Sequence, residues 1–227
     1  MTVLLLKLQS APDLVDQVYR ALLDAISDGS LRPGLRITQE DLAERFAVSR
    51  QPVLQALRML KKDGLVLDAP GRGLLVAPLD AGWISHVYEV RGALDMLAAR
   101  LAAVHQAVID PRVLERGRKA ARGRSIKAMI DVDIAFHNAV YAASGNPLIE
   151  QSASLHWVHL KRVMGAVLQA APQRETIWDE HHAIAAAIAA GDIEQSVALI
   201  ERHGRQACEN LLGLLPNVLA DLSKAVP

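Results

Sequence analysis

Apolar side chains recur every four positions at Leu14, Val18, Leu22 and Ile26, which predicts a helix over residues 12–29 with one buried stripe. Gly29 closes it as a C-terminal cap, and Leu31-Arg32-Pro33-Gly34 supplies a turn. Thr38 followed by Gln39-Glu40-Asp41 reads as a hydroxyl cap with acids in a first helical turn, and that short helix runs to about Phe46. Ser49 starts a further helix with Pro52 in its first turn; its buried positions are Val53, Leu57 and Leu60, and it ends near Asp63-Gly64. Two apolar runs, Leu65–Leu67 and Leu74–Val76, flank a glycine-rich tip and predict a small hairpin.

Residues 78–82 read as a linker, and from Trp83 the pattern is helical nearly to the end. Breaks at Asp110-Pro111, Gly123, Gly145-Asn146-Pro147, Ala171-Pro172 and Gly191-Asp192 divide this part into about six helices, the first running from Trp83 to about His105. The predicted organisation is mostly α, with a winged helix-turn-helix over residues 1–77 and an antiparallel helical bundle over 83–227.

Composition adds little but exclusions. With 51% hydrophobic and 22% charged residues, the 227-residue chain has enough apolar material for a core and is too apolar for a disordered chain. Aromatics at 4% favour helix over sheet. The single Cys208 fits a reducing compartment, the apolar opening Met1–Leu6 is too short for a signal peptide, and no run reaches the length of a membrane span. A cytoplasmic protein that does not enter the membrane is expected.

Net charge is zero, so local charge carries more weight. Arg45, Arg50, Arg58, Lys61 and Lys62 fall in a stretch without an acid, a basic patch that would release phosphate counterions on DNA. Arg50 and Gln51 begin the third helix, where side chains reach base edges, and Arg72 at the hairpin tip suits a minor groove or a phosphate. The alternative is a solvated face whose terminal Lys61-Lys62 answers the helix dipole.

The stretch from Asp28 to Val76 resembles the N-terminal domain of the GntR family of bacterial regulators. The likeness rests on the Leu-x-Pro-Gly turn, the Leu-Ala-x-x-x-x-Val-Ser-Arg-x-Pro-Val core, Asp-Gly-Leu-Val ahead of the wing and the Gly-Arg-Gly tip. It implies DNA contacts from Arg45, Ser49, Arg50, Gln51, Arg58, Arg72 and Gly73. Two positions depart from the family: Leu54-Gln55 replace an Arg-Glu pair, and Ala47 stands where the turn usually has Gly.

In the second part, Asp133 and His137 are four apart and share a helix face, while His181 and His203 lie on two helices joined at Gly191-Asp192. An antiparallel pair of helices could bring these imidazoles beside the Asp/His face. One carboxylate and three imidazoles suit Zn²⁺, Ni²⁺ or Mn²⁺ and leave positions open for a ligand oxygen. Read singly, each histidine fits a surface or packed core position as well. His156 and His159 are runner-up ligands, and His182 is assigned no role.

This segment resembles the FCD effector domain of the FadR-type branch. The Asp-x-x-x-His pair stands ahead of a Gly-Asn-Pro break, with a His after Trp-x-Glu and another His further on. The resemblance implies one divalent transition metal per chain on Asp133, His137, His181 and His203, with Arg91 and Asn138 facing the ligand. For Arg91 the alternative is an ion pair with Asp95. The implied protein is a homodimeric DNA-binding regulator, a repressor in the family's usual manner, controlled by a small organic acid on the metal. The alternatives are a metal-free regulator sensing an apolar or acyl ligand and, further off, a metal-dependent enzyme.

Overall fold

The computed structural model describes residues 14–168 and 175–224. The expected break at Ala171-Pro172, and the parts of the expected domains at residues 1–13 and 225–227, lie outside the described residues. The chain divides into two compact units between Pro78 and Leu79.

In the first unit α1 (Leu14–Ser27), β1 (Arg36–Ile37), α2 (Gln39–Arg45), α3 (Arg50–Lys62), β2 (Val66–Asp68) and β3 (Leu74–Val76) follow in order. Val18, Leu22 and Ile26 bury the stripe of α1, which packs on α3, and α3 in turn buries Val53, Ala56, Leu57 and Leu60. Leu14, expected in that stripe, is the first described residue of the helix and is exposed. Thr38 caps α2 by accepting from the Asp41 amide, whereas Ser49 occupies the cap position of α3 without a side-chain bond. Between them α2 ends in a Schellman motif: the amide of Ala47 donates to Glu44 and that of Val48 to Ala43. Ala47 adopts φ of 52° there, in the left-handed region where a Cβ costs roughly 1–2 kcal/mol.

The predicted hairpin gains a third strand. The antiparallel order is β1-β3-β2, pairing Ile37 with Leu74 and Val66 with Val76. A two-residue strand carries no readable alternation, and β1 exists because β3 offers it an edge.

The second unit holds α4 (Ala81–Val104), α5 (Pro111–Ala121), α6 (Ile126–Ala143), α7 (Pro147–Val167), α8 (Glu175–Ala190) and α9 (Ile193–Lys224). The first of these begins before Trp83 because Asp80 caps it, accepting from the Trp83 amide, and Leu79 is already buried in this unit's core. Asp110, Ser125 and Asn146 cap α5, α6 and α7 with their side chains. Gly145 and Gly191 take the positive φ that the expected breaks require.

Two apolar clusters fill this bundle. One gathers Ala98, Phe136, Val140, Trp178, Ile184 and Ile188; the other gathers Ile84, Val87, Trp157, Leu160, Leu211 and Leu215. On α4 the buried polar residues Arg91 and Asp95 fall between residues of the two clusters, and on α9 His203 does the same. The helices therefore carry a polar layer through an otherwise apolar core.

Candidate functional site: metal centre and nucleic-acid interface

Helical periodicity delivers the polar layer to one point. Asp133 and His137 stand one turn apart on α6, His181 comes from α8 and His203 from α9. One ligand atom from each lies within 4.8 Å of the others. The three imidazoles are buried and Asp133 is half-buried. His181 Nε2 is 3.3 Å from His203 Nε2 and 3.5 Å from Asp133 Oδ1.

Each ring is held from behind. Phe136 stacks on His181 at 4.1 Å between centroids, and Trp178 stands edge-on to it at 4.6 Å. Glu180 Oε2 lies 2.7 Å from His203 Nδ1, which fixes the tautomer that turns Nε2 and its lone pair toward the cluster. Trp178 itself fits because position 117 is glycine: a Cβ there would lie 2.1 Å from the Trp178 ring.

Burial pushes His181 well below the ordinary value of 6.5, and its neighbours His203, His137 and Arg91 push the same way. His137 is lowered by burial and then by Arg91, against the pull of Asp95. These two imidazoles are thus neutral, as metal ligation requires. His181 Nδ1 is buried without a hydrogen-bond partner. Ring nitrogens of His181 and His203 converge beside the Asp133 carboxylate, a nitrogen and oxygen donor set that suits a borderline divalent cation. The residues present therefore fit the expected metal.

Arg91 forms the expected alternative, an ion pair with Asp95, and also lines a cavity beside the cluster. Its Nη2 lies 3.1 Å from Asp95 Oδ2 and 2.9 Å and 3.2 Å from His137 Nε2 and Nδ1, while the guanidinium covers Trp157 at 4.1 Å from the ring centroid. The Tyr141 hydroxyl donates to Asp95 Oδ1. Burial alone would raise Asp95, but Arg91 and then His137 hold it down at about 2. Arg91 shares the lining of that cavity, of about 470 Å3, with Tyr88, Asp133, His137 and His203. Asn138 is half-buried and does not line it, since one helical step from His137 turns a side chain about 100° away. His156, His159 and His182 lie outside the cluster.

Sequence reasoning passed over Asp95 as more than a rival for Arg91, and it missed Tyr141 and Glu180 as orienting groups. The signal was present in spacing: Asp95 follows Arg91, and Tyr141 follows His137, by one helical turn.

In the first unit Arg45, Ser49, Arg50, Gln51, Arg58 and Arg72 are all exposed. The third helix starts with Arg50 and Gln51, and the basic patch is less free than its sequence suggests. Arg50 Nη1 is 3.3 Å from Glu40 Oε1 and Lys61 Nζ is 2.7 Å from Asp68 Oδ2, acids supplied by α2 and β2. Leu54 replaces charge with an apolar side chain in a groove that it shares with Arg58, Lys61, Arg72 and Gly73. Arg36, not expected to take part, donates through Nη2 to the Arg72 carbonyl and so holds the tip of the wing. Gly73 has φ of 92°, and a Cβ on it would fall 2.8 Å from the Ile37 carbonyl oxygen. Glycine is thus required where β1 passes the tip.

Comparison with known proteins bears on both units. The family model "Bacterial regulatory proteins, gntR family" matches residues 14–76, and the model "FCD domain" matches residues 86–206. The transcriptional regulator LutR of Bacillus subtilis is 30% identical over 78% of this chain and 92% of its own. The HTH-type regulator YdhC of the same organism is 29% identical over 88% of this chain and 91% of its own. Among solved structures, a GntR regulator from Rhodococcus sp. RHA1 has a TM-score of 0.75 at 26% identity, covering 88% of this chain and 97% of the other. McbR of Escherichia coli has 0.74 at 23%, covering 89% and 98%.

Proposed function

The chain belongs to the GntR family of bacterial regulatory proteins, with an FCD domain behind its helix-turn-helix, and from that premise we propose that this DNA-binding transcriptional regulator is switched by a carboxylate ligand at a metal. Asp133, His137, His181 and His203 would hold one Zn²⁺, Ni²⁺ or Mn²⁺, which supplies a Lewis-acidic position for a ligand oxygen when bound. The observation that carries the reading is the convergence of these four buried or half-buried donors beside a cavity of about 470 Å3. Phe136 and Trp178 keep water from one side of the cluster, Glu180 orients His203, and Arg91 offers a fork for a carboxylate.

On the DNA side, Arg50 and Gln51 would address base edges, Arg45, Ser49 and Arg58 the phosphates, and Arg72 with Gly73 the wing contact. The working unit would be a homodimer on a pseudo-palindromic operator. Trp83, Val90, Leu97 and Val104 are exposed at seven-residue intervals along α4. Two like stripes of that spacing can pair about a two-fold axis, which supports a second copy as their partner. A ligand that prefers the arrangement unable to bind DNA draws the protein off its operator, giving repression released by ligand.

Metal analysis of the purified wild type beside a His181→Ala/His203→Ala chain tests this. The expected result is about one transition-metal ion per chain, lost in the variant. A wild type that takes up neither Zn²⁺ nor Ni²⁺ would overturn the metal reading and favour the metal-free alternative, to which the apolar walls of the cavity lend support.

A further inference from the structure

The cavity beside the cluster is sharply divided in chemistry. Its inner end is polar, with Arg91, Asp133, His137 and His203. Its walls are Met164, Val167, Leu168, Ile177, Leu211 and Leu214. Glu209 and Asn210 also border it from exposed positions on α9. Among the described residues lining it, Arg91 is the one cationic side chain.

Charge at the inner end can be counted from the residues. A divalent ion and Arg91 bring three positive charges; Asp133 and the buried Asp95 bring two negative ones. Imidazoles ligate a metal in their neutral form and so add none, leaving a surplus of one. Glu180, behind His203 and 34% exposed, is partly answered by water and trims that surplus further. Arg91 is already shared between Asp95 and His137. One carboxylate satisfies this end, and a second would have to lie along the apolar walls or beside Glu209.

An ionised group among apolar side chains loses its hydration without gaining a partner. Hydroxyl groups along the same walls fare little better, because the other uncharged polar side chains on the lining are Tyr88 and Asn210. Apolar carbons, by contrast, gain from burial there.

Resting on the metal reading above, we propose that the effector of this protein is a monocarboxylate with an apolar body, rather than a dicarboxylate or a polyhydroxy acid. Arg91 and the metal select the head; Val167, Leu168, Leu211 and Leu214 select the tail.

Three six-carbon acids separate the possibilities: hexanoate, its dicarboxylate adipate, and the hydroxylated gluconate. The full-length chain is loaded with Co²⁺, metal content is measured, and each acid is titrated while the visible Co²⁺ spectrum and the thermal midpoint are followed. Hexanoate should shift both and bind at least about ten-fold tighter than adipate or gluconate. A Leu214→Arg chain, carrying a second cation on the half-buried wall, should bring adipate to within a few-fold of hexanoate. Co²⁺ bound at one per chain with adipate or gluconate matching hexanoate, or with none of the three acting, overturns this inference and leaves the metal centre standing. A chain that takes up no Co²⁺ overturns the metal centre and the inference together.

Discussion

Arg91 and Asp95 are both buried, and each is the other's main compensation for lost water. Tyr141 completes the carboxylate's partners and Trp157 covers the guanidinium. Removing one charge therefore strands the other. Asp95→Asn should destabilise the protein by about 3 kcal/mol in denaturant unfolding, and the double change Arg91→Met/Asp95→Leu should recover most of that loss. An Asp95→Asn chain of unchanged midpoint would show that water reaches Arg91. The ion pair was visible in the spacing of these two residues, but spacing could not tell an exposed helix pair from a buried one. Burial decides the difference, since exposed pairs of this kind contribute roughly 0–1 kcal/mol.

At the level of elements, α5 and α8 meet at one residue. Gly117 is buried inside α5, where glycine weakens a helix by about 1 kcal/mol relative to alanine. That weakness is compensated by the Trp178 ring it admits, and Trp178 in turn stands against His181. Gly117→Ala gains helix propensity yet forces the ring away. The expected net effect is a loss of roughly 1–3 kcal/mol, with a shifted tryptophan emission and weaker metal uptake. A stabilised chain with unaltered emission would mean that α8 moves aside freely. Helix ends, by comparison, were open to reading: Thr38, Asp110, Asn146, Gly145 and Gly191 are local devices and act as their residue types predict. The strand β1 and the acids that meet Arg50 and Lys61 were not, because each depends on a neighbour distant in sequence.

For the whole molecule, the buried polar layer sets the response to acid. His137 and His181 are held below the 6.5 at which they would titrate when unfolded, so the unfolded chain binds more protons as pH falls under that value. Stability is full above about pH 6.5 and is lost below it, by up to about 1.4 kcal/mol per pH unit for each imidazole that stays neutral in the fold. Asp95, lowered to about 2, acts in the same direction: its contribution is present above 3.8 and disappears as pH falls toward 2. Thermal unfolding of chelator-treated protein should therefore show a falling midpoint from pH 7 to 5.5. A flat profile across that range would contradict neutral, buried imidazoles.

Leu54 and Ala47 were recognisable in the sequence as departures, and the donors Asp133, His137, His181 and His203 as a set, because residue type and helical spacing are local properties of the chain. So were the family, the helical class and the winged order, since amphipathic periods and caps specify elements without reference to their partners. Which elements meet was settled by tertiary packing alone. Gly117 against Trp178, Glu180 behind His203 and the shared position of Arg91 join residues from different helices, and the division of the cavity into a charged end and apolar walls arises only when α4, α6, α7, α8 and α9 close around it. Dense packing of side chains across sequence-distant helices sets those contacts, and no one-dimensional pattern encodes them.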